Sequence, residues 1–357
     1  MNILIKYFLM PLLLAGSFLS KGCSDPGNAP VIDLDEPEVY DNTDPYEVNE
    51  NLGAGINLGN ALEAPNEGDW GMVIREKYIQ EIADAGFESV RVPIRWNAHT
   101  GTNPPFAIDQ SFIQRVDQVL DWIFERDMLA IINIHHFNGL MENPQAEKDH
   151  FLAIWEQLSE HYSDYPTGLV FEILNEPHSN LTPSLWNRYL EDALELIRKT
   201  NPNRVVMVGT SPWGGFGGLG DLEIPEWDKQ IILTLHYYEP FHFTHQGAEW
   251  VEGSEPWLGT EWNGTNKQKD EIDSLFNEAK RWSERVNRPV HIGEFGAYSK
   301  APHNSRVRWT DYVRTAAESR GFSWAYWEFG AGFGAYDRQQ NKWRPELLNA
   351  LIDPSEE

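Results

Sequence analysis

The sequence predicts a (β/α)8 barrel of the α/β class, one domain, and three observations carry that prediction. Short β-branched runs, eight in all, alternate with amphipathic stretches from Asn51 onward. Several runs are apolar almost throughout, as in Leu-Ala-Ile-Ile-Asn-Ile at 129–134, the pattern of strands buried on both faces. Each run ends at or just before a polar or aromatic residue, as expected where functional side chains ring the carboxyl mouth of a barrel. A doubly wound open sheet is the alternative, but no glycine-rich phosphate loop follows the first run.

The chain opens with an address rather than a fold. Lys6 precedes an apolar run, Tyr7–Gly16, that contains Pro11 and is too short to span a membrane comfortably, so the segment reads as an export signal. Cys23, the only cysteine, sits directly after Gly22 at the end of that leader and leaves no intrachain disulfide to form. Residues 1–23 resemble a bacterial lipoprotein signal, in which the cysteine becomes the lipidated first residue. Ordinary cleavage with an incidental cysteine is the alternative. The expectation is an exported protein, extracellular or periplasmic, lipid-anchored to a bacterial membrane through Cys23. Residues 24–50 hold nine acidic side chains, four prolines and no Lys or Arg. Such a stretch buries no core and repels itself, so it is expected to be an extended tether. A packed arm is the alternative for its last residues, near Tyr46 and Val48.

The domain proper is expected over 51–353, with strands at Gly55–Leu58, Ser89–Val92, Leu129–Ile134, Leu169–Leu174, Val205–Gly209, Ile231–His236, Pro289–Gly293 and Phe322–Trp327. Helices are expected at Ser111–Arg126 and Lys267–Val286, and after Thr182, a suitable N-cap with Pro183 at the first helical position. In that last helix apolar residues recur at Trp186, Leu190, Ala193, Leu194 and Ile197, spacings of one helical face.

Strand ends then give the candidate site. Asn60 and Glu63 follow the first strand, and Arg91 lies at the second. His135 and His136 end the third, Asn175 and Glu176 the fourth, and Trp213 lies just past the fifth. His236 and Tyr238 end the sixth, Glu294 the seventh and Trp327 the eighth. Glu176 and Glu294 are the pair that matters. Strands four and seven face each other across a barrel, so their tips could straddle a sugar. Hydrolysis of a glycosidic bond needs two carboxyl groups: one protonates the leaving oxygen, the other attacks the anomeric carbon or activates water. The alternative for either glutamate alone is a structural carboxylate in an ion pair.

Asn175-Glu176-Pro177 with Gly293-Glu294-Phe295-Gly296 resembles glycoside hydrolase family 5, the cellulase family of the retaining (β/α)8 clan. The likeness runs through Arg91-Val92-Pro93, Asn133-Ile134-His135-His136, His236-Tyr237-Tyr238 and Trp324-Ala325-Tyr326-Trp327, from about Leu52 to Leu351. Gly59–Pro65 and Phe243–Trp250 are similar to a subgroup of thermostable endoglucanases that also accept mannan. The resemblance implies Glu176 as acid and base, with a carboxyl raised by its neighbour's charge. It implies Glu294 as nucleophile, held ionised by Arg91 and Tyr238. Asn175 would bond the hydroxyl beside the reacting carbon, and His135 and His236 would orient substrate or carboxylates. It also implies a cis peptide after Trp327.

His135-His136 hints at a metal, but adjacent strand residues point to opposite faces and no HExxH spacing accompanies them, so no metal and no cofactor are expected. Tryptophan, 15 residues, exceeds what packing alone would call for, and aromatic faces bind the apolar faces of pyranose rings. Trp327 is the candidate floor, then Trp213 and Trp250; core or surface packing is expected of Trp70, Trp122, Trp155 and Trp282. Lys and Arg number 28 against 55 Asp and Glu, a net charge of −27. That balance excludes nucleic acid as a partner and disfavours polyuronates, but does not oppose a neutral β-linked polysaccharide. The expected activity is a retaining endo-β-1,4-glucanase, acting as a monomer. The alternatives are a β-mannanase, a dual glucanase and mannanase, and, more remotely, a non-catalytic carbohydrate-binding barrel.

Overall fold

The computed structural model describes residues 44–352. The export signal, Cys23 and the first part of the expected tether lie outside the described residues. Eight parallel strands close into a barrel in sequence order. They are β1 Ala54–Asn57, β2 Ser89–Val92, β3 Leu129–Asn133, β4 Leu169–Glu172, β5 Val206–Gly209, β6 Ile231–Tyr237, β7 Val290–Phe295 and β8 Ser323–Tyr326. Helices surround it: α1 Pro45–Leu52, α2 Glu76–Asp84, α3 Gln110–Phe124, α4 Asn138–Glu142, α5 Pro144–His161, α6 Pro183–Ile197, α7 Phe241–Thr244, α8 Asn266–Val286, α9 His303–Glu318 and α10 Pro345–Leu351. The fold is thus the (β/α)8 barrel that the alternating pattern predicts.

Two apolar layers explain the pattern. Outward strand residues such as Ile56, Val90, Ile132 and Val206 pack against helix residues Ile79, Ile82, Val116, Leu120 and Leu190. Inward residues Ile131, Val170, Met207 and Ile232 form a separate cluster at the barrel's amino end, closed from below by Val48 and Leu52 of α1. The expected tether is therefore corrected over its last residues, which form this helix rather than an extended chain. The Asp44 side chain accepts from Tyr46 N at 2.9 Å, Pro45 starts the first turn, and Val48 and Leu52, four apart, share the buried face. Asn49 fixes the helix to the barrel, donating to Gly321 O and accepting from Ser323 Oγ at 2.8 Å.

Element edges depart from expectation where side chains act on the backbone. Helix α8 starts one residue early because Thr265 and Gln268 form a reciprocal capping box. Strands β3 and β4 end before Ile134 and Leu174, since the chain leaves the sheet there. Strand β7 runs on to Phe295, and its register slips against both β6 and β8 around Gly293 and Glu294. Such an irregularity re-aims side chains, and here it falls on a candidate catalytic carboxylate.

Candidate active site

The site grows from Arg91 on β2, whose side chain is fully buried. Each of its five N–H donors has an acceptor. Nε and Nη2 clasp the Glu172 carboxylate at 2.6 and 2.8 Å. Nη1 donates to Glu294 Oε1 at 2.7 Å and Asn57 Oδ1 at 2.8 Å, and Nη2 also donates to Asn175 Oδ1 at 2.8 Å. Asn57 in turn donates Nδ2 to Gly293 O and Ala325 O, tying β1 to β7 and β8 and fixing which way its amide faces. Burial would raise the Glu172 carboxyl, but the Arg91 charge outweighs it and leaves Glu172 lowered. One guanidinium thus positions the nucleophile candidate, the neighbouring amide and a structural carboxylate together.

Glu176 stands just past β4 with φ +47°, a left-handed conformation for a non-glycine residue. Asn175 N donates to Ile134 O at 2.9 Å, which anchors that turn to the end of β3. Strain of this kind, about 1 kcal/mol or more, is typical of residues whose side chain must be aimed. Its carboxyl is partly open to the cleft and lies 2.8 Å from His236 Nδ1 through Oε1. Glu294 Oε2 accepts from Tyr238 OH at 2.9 Å and lies 3.6 Å from the same imidazole nitrogen. An oxygen of each carboxyl and a His236 nitrogen all fall within 4.8 Å of one another. That belongs with the close carboxyl spacing of about 5–5.5 Å in retaining enzymes, not the roughly 6.5–9.5 Å of inverting ones.

The charges of this trio are shared. Burial opposes a proton on His236, but Glu294 and Glu176 outweigh it and raise the imidazole. Burial would also raise Glu176, yet the hydrogen bond and charge of His236 leave it lowered. Burial raises Glu294, and His236 and Arg91 offset only part of that. The expectation of a Glu176 raised by its neighbour is therefore corrected: in this structure the hydrogen bond and charge of His236 hold it below the ordinary carboxyl range. Burial and the Glu294 charge hold the Tyr238 phenol well above its ordinary range, so it stays a donor to Glu294.

The remaining predicted residues line the mouth. His135 is buried, and that burial holds it well below the usual imidazole range. Asn133 accepts from Ile94 N with Oδ1, so its Nδ2 donates to His135 Nδ1 at 3.1 Å and the imidazole proton sits on Nε2. The ring lies parallel to Trp327, centroids 5.6 Å apart. Trp327 rests against Gly59, where an added Cβ would come within 3.1 Å of the indole, so this glycine permits the floor to sit where it does. The Trp327–Glu328 peptide is cis. Trp213 is 55 % exposed and stacks on His178, centroids 3.7 Å apart; Trp250 is 60 % exposed and abuts Tyr298 edge-on. Asn60 has φ +64°, and Glu63 turns onto its own loop, accepting from Asn60 N and Ala61 N. Burial pushes the Glu63 carboxyl up to about 8.

Sequence reasoning missed Asn57, Asn133, Glu172 and Glu328. Three are single polar residues inside apolar strand runs, and that intrusion was the available signal. Glu328 is buried beyond Trp327 and accepts from Gly330 N, Ala331 N and Phe333 N. Trp155 and Trp282 are core residues, and Trp70, 42 % exposed, packs at the surface edge-on to His136, centroids 5.6 Å apart. Among the described residues, the three-member cluster with ligating chemistry is Glu176, His236 and Glu294; His135 and His136 join none.

His236 sets a first expected outcome. Because it lowers Glu176, replacing it by Asn removes that pull and raises the Glu176 pKa. The alkaline limb of the kcat/KM profile should move to higher pH. The rate should also fall roughly ten- to a hundredfold, for one lost charge-assisted hydrogen bond. A limb that stays put or moves to lower pH would remove His236 from control of Glu176.

Comparison with known proteins agrees with this geometry. The family profile described as Cellulase (glycosyl hydrolase family 5) matches residues 52–332. Endoglucanase H of Acetivibrio thermocellus is 39 % identical over 318 residues, 87 % of this chain. The cellulase/esterase CelE of the same organism is 31 % identical over 84 % of this chain. This chain spans only 34 % and 39 % of the lengths of those two relatives. Among solved structures, Thermotoga maritima Cel5A in complex with mannotriose superposes with a TM-score of 0.85 at 50 % identity, covering 87 % of this chain and all of Cel5A. The same enzyme with cellobiose gives 0.85 at 51 % identity, again covering 87 % of this chain and all of that one. With a profile that covers most of the chain, on a barrel whose fourth and seventh strands present two close-set glutamates, the chain belongs to the cellulase family, glycoside hydrolase family 5.

Proposed function

We propose that the protein is a retaining endo-β-1,4-glucanase that cuts internal bonds of β-glucans by double displacement. The observation that carries this reading is the close spacing of Glu176 and Glu294 around one imidazole, with Arg91 and Tyr238 both donating to Glu294. In the first step the Glu294 carboxylate attacks the anomeric carbon, the bond to the leaving oxygen breaks, and Glu176 gives that oxygen a proton. His236 Nδ1 lies 2.8 Å from Glu176 Oε1, close enough to orient the carboxyl that gives this proton. In the second step Glu176 takes a proton from water, the oxygen attacks the same carbon, and Glu294 leaves as carboxylate. Two inversions restore the original configuration. Asn175, its oxygen held by Arg91, has its amide N–H groups free to bond the hydroxyl beside the reacting carbon.

Mannan or glucomannan is the second substrate of this reading. Its support is the half-identical Cel5A, described with both mannotriose and cellobiose. Asn60, Glu63 and His136 are the side chains beside which glucose and mannose would differ. Initial rates on carboxymethylcellulose, barley β-glucan and glucomannan, with Glu294→Ala as control, test the reading. Glucan cleavage lost in the variant is expected. Activity on mannan alone would move the specificity, and silence on all three would overturn the activity. Proton NMR of the first product should show the β-anomer before mutarotation; the α-anomer first would mean inversion.

We further propose that the enzyme is exported and held to a membrane by a lipidated Cys23, on the strength of the leader that precedes it. Cys23→Ser should move the protein from the membrane fraction to the soluble one. Unchanged fractionation would remove the anchor.

A further inference from the structure

Tyr238 donates to Glu294 at 2.9 Å, yet the barrel ladder alone does not fix where that phenol points. It lies one residue past β6, and the register of β6 against β7 slips just before it, between Leu235 and His236. A slip of this kind re-aims side chains, so their final placement falls to contacts outside the sheet. Those contacts come from Thr244, a fully buried residue of α7 that no step above uses.

The Thr244 hydroxyl has one proton to give. Tyr238 O lies 2.6 Å away and Phe241 O 3.4 Å, so the proton goes to Tyr238 O. His245 Nδ1, 2.9 Å from the same hydroxyl oxygen, must then be the donor in that contact. Burial brings the His245 imidazole down to about 4, so near neutral pH it is uncharged, with its one proton on Nδ1. The hydroxyl thereby holds Tyr238 twice. It holds the carbonyl directly, and it holds the His245 ring, which packs edge-on against the phenol with centroids 5.0 Å apart. Phe241 stacks on that imidazole, centroids 4.1 Å apart, and keeps it in place. The Thr244 backbone completes the tie. Its carbonyl accepts from Tyr298 N at 2.7 Å, in the loop after β7, the strand that carries Glu294. One residue thus joins the segment that carries the donor to the segment that carries the acceptor.

A hydroxyl bonded only to the carbonyl three residues back would be a local feature of a short helix. Here the bond to Phe241 O is the long one, and the short one reaches out of the helix to the residue that touches the nucleophile. We propose that Thr244 is a positioning residue for the reaction: its hydroxyl sets the aim of the Tyr238 phenol on Glu294, and so the placement of the attacking oxygen. This rests on the glycanase reading and deepens it.

The test is a double-mutant cycle on kcat/KM for an aryl β-cellobioside, with Tyr238→Phe as the second change. Thr244→Val keeps the shape and removes the hydroxyl. Alone it should lower kcat/KM about tenfold, chiefly through kcat, since a misaimed donor slows attack more than it weakens binding. Thr244→Ser should restore most of the rate. In Tyr238→Phe the phenol hydroxyl is already gone, so adding Thr244→Val should cost less than about twofold. Thr244→Ala also lacks the hydroxyl and sets no methyl beside the carbonyl; it should follow the same pattern, and it carries the test if the valine variant does not fold. A substitution that costs as much in Tyr238→Phe as alone, one that costs nothing alone, a loss confined to KM, or a serine variant as slow as the valine one would overturn the positioning role. A wild type that cleaves no aryl cellobioside would instead overturn the glycanase reading, and the role with it.

Discussion

Glu294→Ala should lower kcat/KM by at least roughly 10⁴-fold while the barrel stays folded, because its removal leaves Arg91 clasping Glu172 and deletes the atom that attacks. Glu176→Ala should fail differently. Its loss matters to the first step only when the leaving oxygen needs a proton. An aryl glycoside with an acidic phenol should still form the glycosyl-enzyme, then stall, since no base remains to activate water. Azide needs no such base. Added to Glu176→Ala it should attack the intermediate from the face water would use and give the β-glycosyl azide. Added to Glu294→Ala it should occupy the space of the missing carboxylate and give the α-azide. Product stereochemistry by NMR therefore assigns the two roles separately. The same azide anomer from both variants, or near-full activity of either alone, would sink the assignment.

Much of this site was legible before any coordinates. Residues that end strands in an alternating chain must converge at one mouth, so Glu176, Glu294, Arg91, His236, Tyr238 and Trp327 could be placed by topology alone. The fold was legible for the same reason: strands buried on both faces are apolar without alternation, and helices between them show one apolar stripe. What escaped depends on things that period and order do not encode. Glu172 ends β4 but lies inside the expected strand run 169–174, where a lone charge was absorbed among apolar residues; only the pairing of β2 with β3 and of β3 with β4 shows that it meets Arg91. The lowering of Glu176 by His236 follows from a 2.8 Å contact between residues 60 apart in sequence. Helix α1 was hidden by its own composition. Its acidic first turn read as a continuation of the tether, while the two residues that bury it, Val48 and Leu52, are too few to show a stripe.

Arg91→Ala is expected to cost both activity and stability, and the two losses separate by chemistry. For activity, Glu294 loses its 2.7 Å donor and Asn175 its 2.8 Å support, so kcat should fall about 10²–10³-fold, the usual cost of one preorganised donor in a buried site. Arg91→Lys keeps a charge but offers it as a point, and cannot satisfy Glu172 bidentately while reaching Glu294, Asn57 and Asn175. It should recover little. For stability, the alanine variant leaves Glu172 ionised and alone in the barrel, a loss of about 3–5 kcal/mol at neutral pH. The sign with pH follows from Glu172. In the wild type Arg91 depresses its pKa, so its contribution is present above the unfolded carboxylate pKa and is lost as pH falls through the depressed folded value. Without Arg91, burial is opposed only by the smaller pull of His236 and the Asn133 hydrogen bond, so that pKa rises, and the variant protonates Glu172 first and is relieved earlier. The gap in denaturant-unfolding free energy should therefore narrow as pH is lowered from 7 toward 5. Adding Glu172→Gln to Arg91→Ala should return part of the stability at pH 7 and none of the activity, because it removes the stranded charge without replacing the donor to Glu294. A gap that is constant with pH, or a double variant no more stable than the single one, would mean that Glu172 is not the charge Arg91 holds in place.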